Sequence, residues 1–167
     1  MDQQTVLDIF KFQRGYLSLL LDDVSDERMA QQTGGIVNHP AWQIGHLTMV
    51  MDNFTGMLGG KKTLDESWTQ RFGPGSKPIG DRKAYPAKRD LLEAFDDRRA
   101  ALTEAFKRAP AEKLNEPNPV ARAAELMPTV GKMLCFIMLT HEGTHLGQLS
   151  AWRKAMGMSE ALSKMPR

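Results

Sequence analysis

The sequence predicts an all-α fold, namely a four-helix bundle with one long crossover connection. Hydrophobic residues recur at helical spacing in four stretches of the 167-residue chain, and no β-branched run bounded by hairpin turns interrupts them. A segment rich in glycine and proline, residues 59–86, separates the second stretch from the third. A chain of this length supports one hydrophobic core, so we expect a single domain over residues 1–167.

The first helix is predicted from the spacing of its apolar residues, and the start of the second from a proline. Residues 4–22 place their apolar side chains three or four positions apart, so that these side chains share one face of an amphipathic helix. A polar segment over residues 23–38 follows. Pro40 then stands where proline is favoured in the first turn of a helix, and we expect this second helix to run to about residue 58, with Trp42 and His46 along it.

The long connection is expected to contain a short helical turn over residues 66–72, because loops of this length in compact domains usually carry some structure of their own. Trp68 and Phe72 would pin this turn against the bundle. A third helix over residues 87–109 buries its apolar side chains, and we expect its charged run, residues 96–99, to face solvent.

The fourth helix is predicted to begin at Thr129, which can cap its first turn, and to end at about Met156, where Gly157 provides a stop. It follows a proline-rich link over residues 116–128 and is the most apolar of the four. Bundles of four long helices usually build their metal and ligand sites from inward-facing residues on facing helices. Inward polar residues are therefore the candidates for a site.

Composition and charge exclude several classes of protein. Hydrophobic residues make up 41% and charged residues 25% of the chain, as in globular domains, and a formal net charge of +2 offers no strongly basic surface for nucleic acid. The longest apolar run, residues 133–139, is too short to span a membrane. A single cysteine, Cys135, and an N-terminal segment without a basic or apolar signal lead us to expect a cytoplasmic protein.

Three of the four histidines are candidate metal ligands. His141 and His145 lie one turn apart on the apolar face of the fourth helix, so both rings can reach one ion. His46 is expected to face inward from the second helix. If these helices pack face to face, three neutral imidazoles can hold one divalent ion and leave positions open for water or substrate. His39, directly before Pro40, is interpreted as a cap or turn residue and not as a ligand.

Other interpretations of the same segment stay open. Residues 141–145 also spell H-E-x-x-H, in which Glu142 would act as a general base on a zinc-bound water. The longer metzincin motif is excluded, because Gln148 and Ala151 stand where it needs glycine and histidine. Glu142 or Asp52 could instead close a metal site as a fourth ligand, or Glu142 could face solvent. A helical bundle without any metal is a further alternative.

Two segments together resemble the DinB superfamily: residues 38–47, NHPAWQIGHL, and residues 141–149, HEGTHLGQL. The resemblance covers most of the chain, including the order of the helices and the long connection. It implies a four-helix bundle, often a dimer, in which a histidine triad binds a divalent ion such as nickel or zinc. The ligands carry over onto His46, His141 and His145. Some members are thiol-dependent transferases or isomerases, and many have no assigned activity.

The preferred hypothesis is a metal-dependent enzyme, either a thiol-dependent transferase or a hydrolase, that acts on a small molecule. The cofactor would be a divalent ion, with zinc, nickel and iron as candidates, because three-imidazole sites accept several first-row metals. The partner would be a small-molecule substrate, for which a low-molecular-weight thiol is one candidate, admitted near Trp42 and residues 59–86, and the resemblance suggests a homodimer. The alternative is a non-catalytic metal-binding or stress-associated helical bundle.

Overall fold

Long and short helices make up the computed structural model, which describes residues 2–164. The helices are α1 (Gln3–Leu21), α2 (Pro40–Met57), α3 (Glu66–Phe72), α4 (Lys88–Arg108), α5 (Ala111–Asn115), α6 (Val130–Cys135), a π-helical segment (Phe136–His141) and α7 (Glu142–Ala155). No strand occurs within residues 2–164, where two isolated bridges are the only β-type pairings, so the all-α prediction is confirmed. Short 3-10 turns lie at Asp26–Arg28, Arg82–Ala84, Ala121–Ala123 and Ala161–Lys164.

The long helices begin and end within one residue of their predicted bounds, and the predicted capping groups of the second and fourth are in place. The His39 ring accepts the Trp42 backbone N–H at 3.3 Å at the start of α2, and its predicted role as a cap is confirmed. The Thr129 hydroxyl accepts the Lys132 N–H at 3.3 Å. Gly157 adopts φ +69° beyond α7, a left-handed conformation that favours glycine at a helix end.

The last long helix departs from regular α geometry in its middle. The sequence predicts one α-helix over residues 129–156, whereas α6 and α7 are joined without a break by the π-helical segment. At the end of that segment the Glu142 N–H is shared between the carbonyls of Ile137, five residues back, and Leu139, three residues back. The π turn therefore ends at His141, one of the candidate ligands, and π segments are often found at functional sites.

The core is formed by the inner faces of the four long helices. α2 packs along α4, α1 packs along α7, and α2 also touches α7. Burial of these apolar side chains is the main stabilising contribution to the bundle. Fully buried members of the core cluster include Leu17, Leu20, Ile44, Leu47, Leu91, Phe95, Leu102, Leu134, Met138, Leu149 and Trp152. The contact between α2 and α7 brings the second and fourth predicted helices together.

The connection between α2 and α4 is anchored on α2. The predicted short helix over residues 66–72 is confirmed as α3, and Phe72 at its end is fully buried. A Cβ atom added at Gly45 would clash with the Phe72 ring, so the absence of a side chain on α2 creates the space for this anchor. Trp68 is half-buried and its ring lies 5.0 Å from that of Phe72.

Two expectations about the third helix and the link after it need correction. Asp96 and Asp97 are exposed as predicted, but Arg99 on α4 is only 7% exposed and belongs to the interior. Between α4 and the predicted link over residues 116–128 lies a further short helix, α5, which the sequence did not predict. No helix among residues 2–164 combines the length and the apolar character that crossing a membrane requires.

Candidate metal centre

The structure brings His46, His141 and His145 together between α2 and the last long helix. The Nε2 atoms of His46 and His141 lie 3.2 Å apart, and one ring nitrogen of each histidine lies within 4.8 Å of those of the other two. Two nitrogen ligands on one tetrahedral zinc ion, each at about 2.1 Å, stand about 3.4 Å from each other. The cluster therefore has the size of a three-histidine site and could hold a divalent ion.

Hydrogen bonds on the outer ring nitrogens orient two of the three histidines. His46 Nδ1 donates to the Phe72 carbonyl at 2.7 Å, and His145 Nδ1 donates to Gln43 Oε1 at 3.2 Å. The Gln43 amide is itself fixed, because its Nε2 donates to the Asn38 carbonyl at 2.6 Å. A proton held on Nδ1 leaves the Nε2 lone pair free, which is the arrangement found behind most metal-bound histidines.

His141 differs from its two neighbours. Its Nδ1 is buried and has no hydrogen-bond partner among the described residues, while its Nε2 faces His46 Nε2. If His141 carries its proton on Nδ1, that N–H has no acceptor and two lone pairs face each other at 3.2 Å; if it carries the proton on Nε2, the Nδ1 lone pair is left bare. A cation between the Nε2 atoms relieves the lone-pair contact, so the cluster fits a bound cation.

Burial keeps the three imidazoles neutral. It lowers the pKa of His141 to about 4 and that of His145 to about 3, with further lowering from the neighbouring imidazoles. Burial also lowers the pKa of His46, although its bond to the Phe72 carbonyl acts in the opposite direction. The positive charge of Arg122 contributes to the lowering at His46 and His141. Neutral imidazole is the form that binds metal ions, so no proton has to be displaced at neutral pH.

Trp42 forms one wall of the cluster. Its ring stacks on that of His46 with centroids 4.9 Å apart and planes 10° from parallel. The indole N–H donates to Ser76 Oγ at 2.9 Å, which ties the wall to the long connection. The stacked indole restricts the rotation of His46 and excludes water from that side of its ring.

Glu142 takes none of the three roles that the sequence left open for it. It is 1% exposed, so it does not face solvent, and both carboxylate oxygens accept from Arg99 Nη1 at 2.5 and 2.6 Å. Burial raises its pKa to about 7 against the opposing effect of Arg99, whose guanidinium lies 3.4 Å from the centre of the Phe10 ring. Its carboxylate is not part of the histidine cluster. The H-E-x-x-H interpretation thereby loses its base.

Asp52 is not a fourth ligand either. Its carboxylate accepts the Thr63 backbone N–H at 2.9 Å and Arg98 Nη1 at 3.2 Å, and so holds the beginning of the long connection against α2 and α4. No carboxylate or thiol joins the three histidines in the part of the chain that the structure describes. Three protein ligands are typical of catalytic zinc sites, whereas structural sites are normally closed by four.

His39 lies outside the cluster, in agreement with its exclusion as a ligand. It is fully buried, and its Nε2 donates to the Ile79 carbonyl at 3.0 Å while Nδ1 caps α2. Burial lowers its pKa to about 4. Its two nitrogens are therefore occupied by backbone groups.

Comparison with known proteins supports the grouping of these residues. A family model described as the DinB superfamily matches residues 9–149, a stretch that contains all three clustered histidines. A search of curated proteins finds no match to the chain. Because the family model covers well over half of the 167 residues, the chain belongs to the DinB superfamily.

Proposed function

We propose that this protein is a metal-dependent enzyme, a thiol-dependent transferase or a hydrolase of small molecules, with a divalent ion held by His46, His141 and His145. The observation that carries the proposal is the convergence of three neutral ring nitrogens, with no acidic or thiol ligand beside them among the described residues. Such a donor set suits zinc, nickel or iron, and availability decides among ions of this class.

The donor set determines what chemistry is accessible. A divalent ion held by three neutral ligands keeps its full charge and open positions, and it supplies Lewis-acid activation that lowers the pKa of a thiol or a water. The protein's own residues position and shield the site. Gln43 and the Phe72 carbonyl hold the Nδ1 protons, and Trp42 excludes water from one side of His46.

Metal binding and activity can be tested together on the purified chain. The metal-free protein is titrated with zinc, nickel and iron(II), and each form is assayed for conjugation of low-molecular-weight thiols to electrophiles and for hydrolysis of activated esters. We expect one ion per chain and turnover only in a loaded form. Absence of metal binding contradicts the proposal, and so does binding without turnover across both assays.

A matched pair of histidine variants assigns the ligands. His46→Ala removes a cluster histidine, whereas His39→Asn replaces a buried histidine outside the cluster with a residue that still caps a helix. We expect the first variant to lose the ion and the second to retain it. Equal metal content in the two variants would show that the ion is bound elsewhere.

The burial of the cluster favours a second candidate function, a non-catalytic metal-binding bundle. His46 and His145 are 8% and 6% exposed, and His141 is the most accessible of the three. For a buried site of this kind we expect slow exchange of the ion with chelators and no turnover. Rapid exchange with small thiol ligands, detected by a change in the cobalt(II) spectrum, favours the enzyme.

A further inference from the structure

The three clustered histidines are oriented in different ways. His46 and His145 each have a hydrogen bond on Nδ1, whereas His141 has none among the described residues. The direction of the His141 ring therefore depends on its backbone and on the packing of neighbouring rings. His141 is the last residue of the π-helical segment. The backbone N–H directly after it, that of Glu142, is shared between two carbonyls instead of making one regular bond. Something has to hold this irregular turn in one conformation.

Gln13 on α1 holds the π-helical segment from the side of the first helix. Its Nε2 donates to the Leu139 carbonyl at 2.8 Å, which is one of the two carbonyls that share the Glu142 N–H. The side chain is buried, and its Oε1 has no partner among the described residues. A buried amide oxygen without a partner is unfavourable. The bond to the Leu139 carbonyl is a contact that an apolar side chain of similar size could not make.

We propose that Gln13 is a positioning residue for the metal centre, which sets the direction of the His141 ring by fixing the π turn at Leu139. This inference rests on the proposed function, because it needs His141 to be a ligand. Glu142 on the other side of His141 is anchored to Arg99 of α4, so the ligand lies between two fixed points of the backbone. α1, which supplies no ligand, thus acts on the site through the helix that does.

The experiment compares two glutamines on α1. Gln13→Met removes the amide but keeps the length of the side chain, and Gln13→Leu is a second variant in case methionine packs poorly. Gln3→Met is the control, because the Gln3 amide also donates to a backbone carbonyl of another helix, that of Phe106 on α4, and Gln3 lies about 15 Å from Gln13 along α1. For each protein we measure zinc affinity by chelator competition, the cobalt(II) absorption spectrum, and the unfolding of the metal-free form.

We expect Gln13→Met to bind zinc about 10-fold more weakly than the wild type and to show an altered cobalt(II) spectrum, an effect typical of groups behind a ligand. Gln3→Met should match the wild type in both measurements, even where its unfolding midpoint falls as far. Unchanged affinity and spectrum in both Gln13 variants overturn the inference, and so does an equal change in the control. A wild-type protein that binds no zinc overturns the proposed function itself, and the two failures are thereby distinguished.

Discussion

Two buried polar clusters include consecutive residues of the last long helix, His141 in one and Glu142 in the other. The first contains three neutral histidines, and His141 Nδ1 has no hydrogen-bond partner among residues 2–164. In the second, Glu142 and Arg99 form a closed ion pair, in which the guanidinium also donates to the Phe10 carbonyl. A cluster whose groups satisfy each other serves the fold, whereas a cluster with uncommitted nitrogens is suited to a ligand.

The largest expected effect comes from breaking the closed cluster. Arg99→Met leaves the Glu142 carboxylate buried without a cation, which should cost about 3–5 kcal/mol of unfolding free energy at pH 8. Urea denaturation measures the loss. Arg89→Met on the same helix is the control, because Arg89 and its partner Asp90 are both exposed and such pairs contribute about 0–1 kcal/mol.

The double variant Arg99→Met with Glu142→Leu sharpens this result. Replacing both members of a buried ion pair with apolar residues of similar size often restores stability. The pKa of Glu142 is raised by burial despite Arg99, which indicates that the desolvation of the carboxylate outweighs its pairing. We expect the double variant to be more stable than Arg99→Met alone. A double variant at least as destabilised as the single one would contradict this account of the closed cluster.

A second test acts on the contact between Gly45 and Phe72, next to the histidine cluster. Gly45→Ala places a methyl group against the Phe72 ring, and displacement of that ring should cost about 1–3 kcal/mol of stability. Because the Phe72 carbonyl accepts from His46, zinc affinity should fall as well. Gly15→Ala is the control, since nothing lies within 4 Å of its added Cβ on α1. There alanine should stabilise the helix by about 0.5–1 kcal/mol.

The sequence contained enough information to predict the three clustered histidines, but not the hydrogen-bond partners that orient them. His141 and His145 share one helix, so their spacing alone brings them together, and His46 then required only that α2 and α7 pack face to face. The Phe72 carbonyl could not be predicted, because a backbone acceptor has no side-chain signature. Gln43 could have been predicted to lie near the cluster, because it stands one turn before His46 on the same face of α2.

The errors in the sequence analysis have a common physical cause. Arg99 lies in a run of four charged residues, which predicts a solvent-facing side chain, and the sequence leaves Glu142 open as a base, a fourth ligand or a solvent-facing residue. Both side chains can be buried because they form an ion pair with each other, across helices that are far apart in sequence. The π-helical segment likewise depends on tertiary contacts such as that of Gln13, and its apolar residues are equally compatible with a regular α-helix.

The third prediction concerns the orientation of His145. Gln43→Leu removes the acceptor of the His145 Nδ1 proton and should weaken zinc binding about 10-fold, or about 1.4 kcal/mol. Chelator competition measures the affinity. Thr55→Val is a control on the same helix, because its buried hydroxyl donates to the Met51 carbonyl and not to a histidine. Equal weakening in both variants would show that the effect comes from loosened packing and not from ligand orientation.

The sign of the pH dependence separates the buried histidines from Glu142. Burial holds the pKa values of His39 and His141 near 4 and that of His145 near 3, so the unfolded chain, in which histidines titrate near 6.5, takes up these protons first as the pH falls. The histidines therefore lower the stability of the metal-free protein as the pH falls from about 6.5 towards 4. Burial raises the pKa of Glu142 to about 7 from an ordinary value of 4.5, so its contribution is fully present below 4.5 and is lost as the pH rises through 7.

The effect of Glu142 on stability is thus opposite to that of the histidines over most of the same pH range. Substitution of Glu142 alone tests this difference. Urea denaturation of metal-free wild type and Glu142→Gln at several pH values gives the slope of unfolding free energy against pH for each. The variant should lose stability more steeply than the wild type between about pH 6.5 and 4.5, because the opposing carboxyl has been removed. The comparison uses slopes, so a uniform loss of stability in the variant does not affect it. Parallel slopes would mean that the Glu142 carboxyl titrates alike in the folded and unfolded chain, and the ion pair with Arg99 would then offset the full effect of burial.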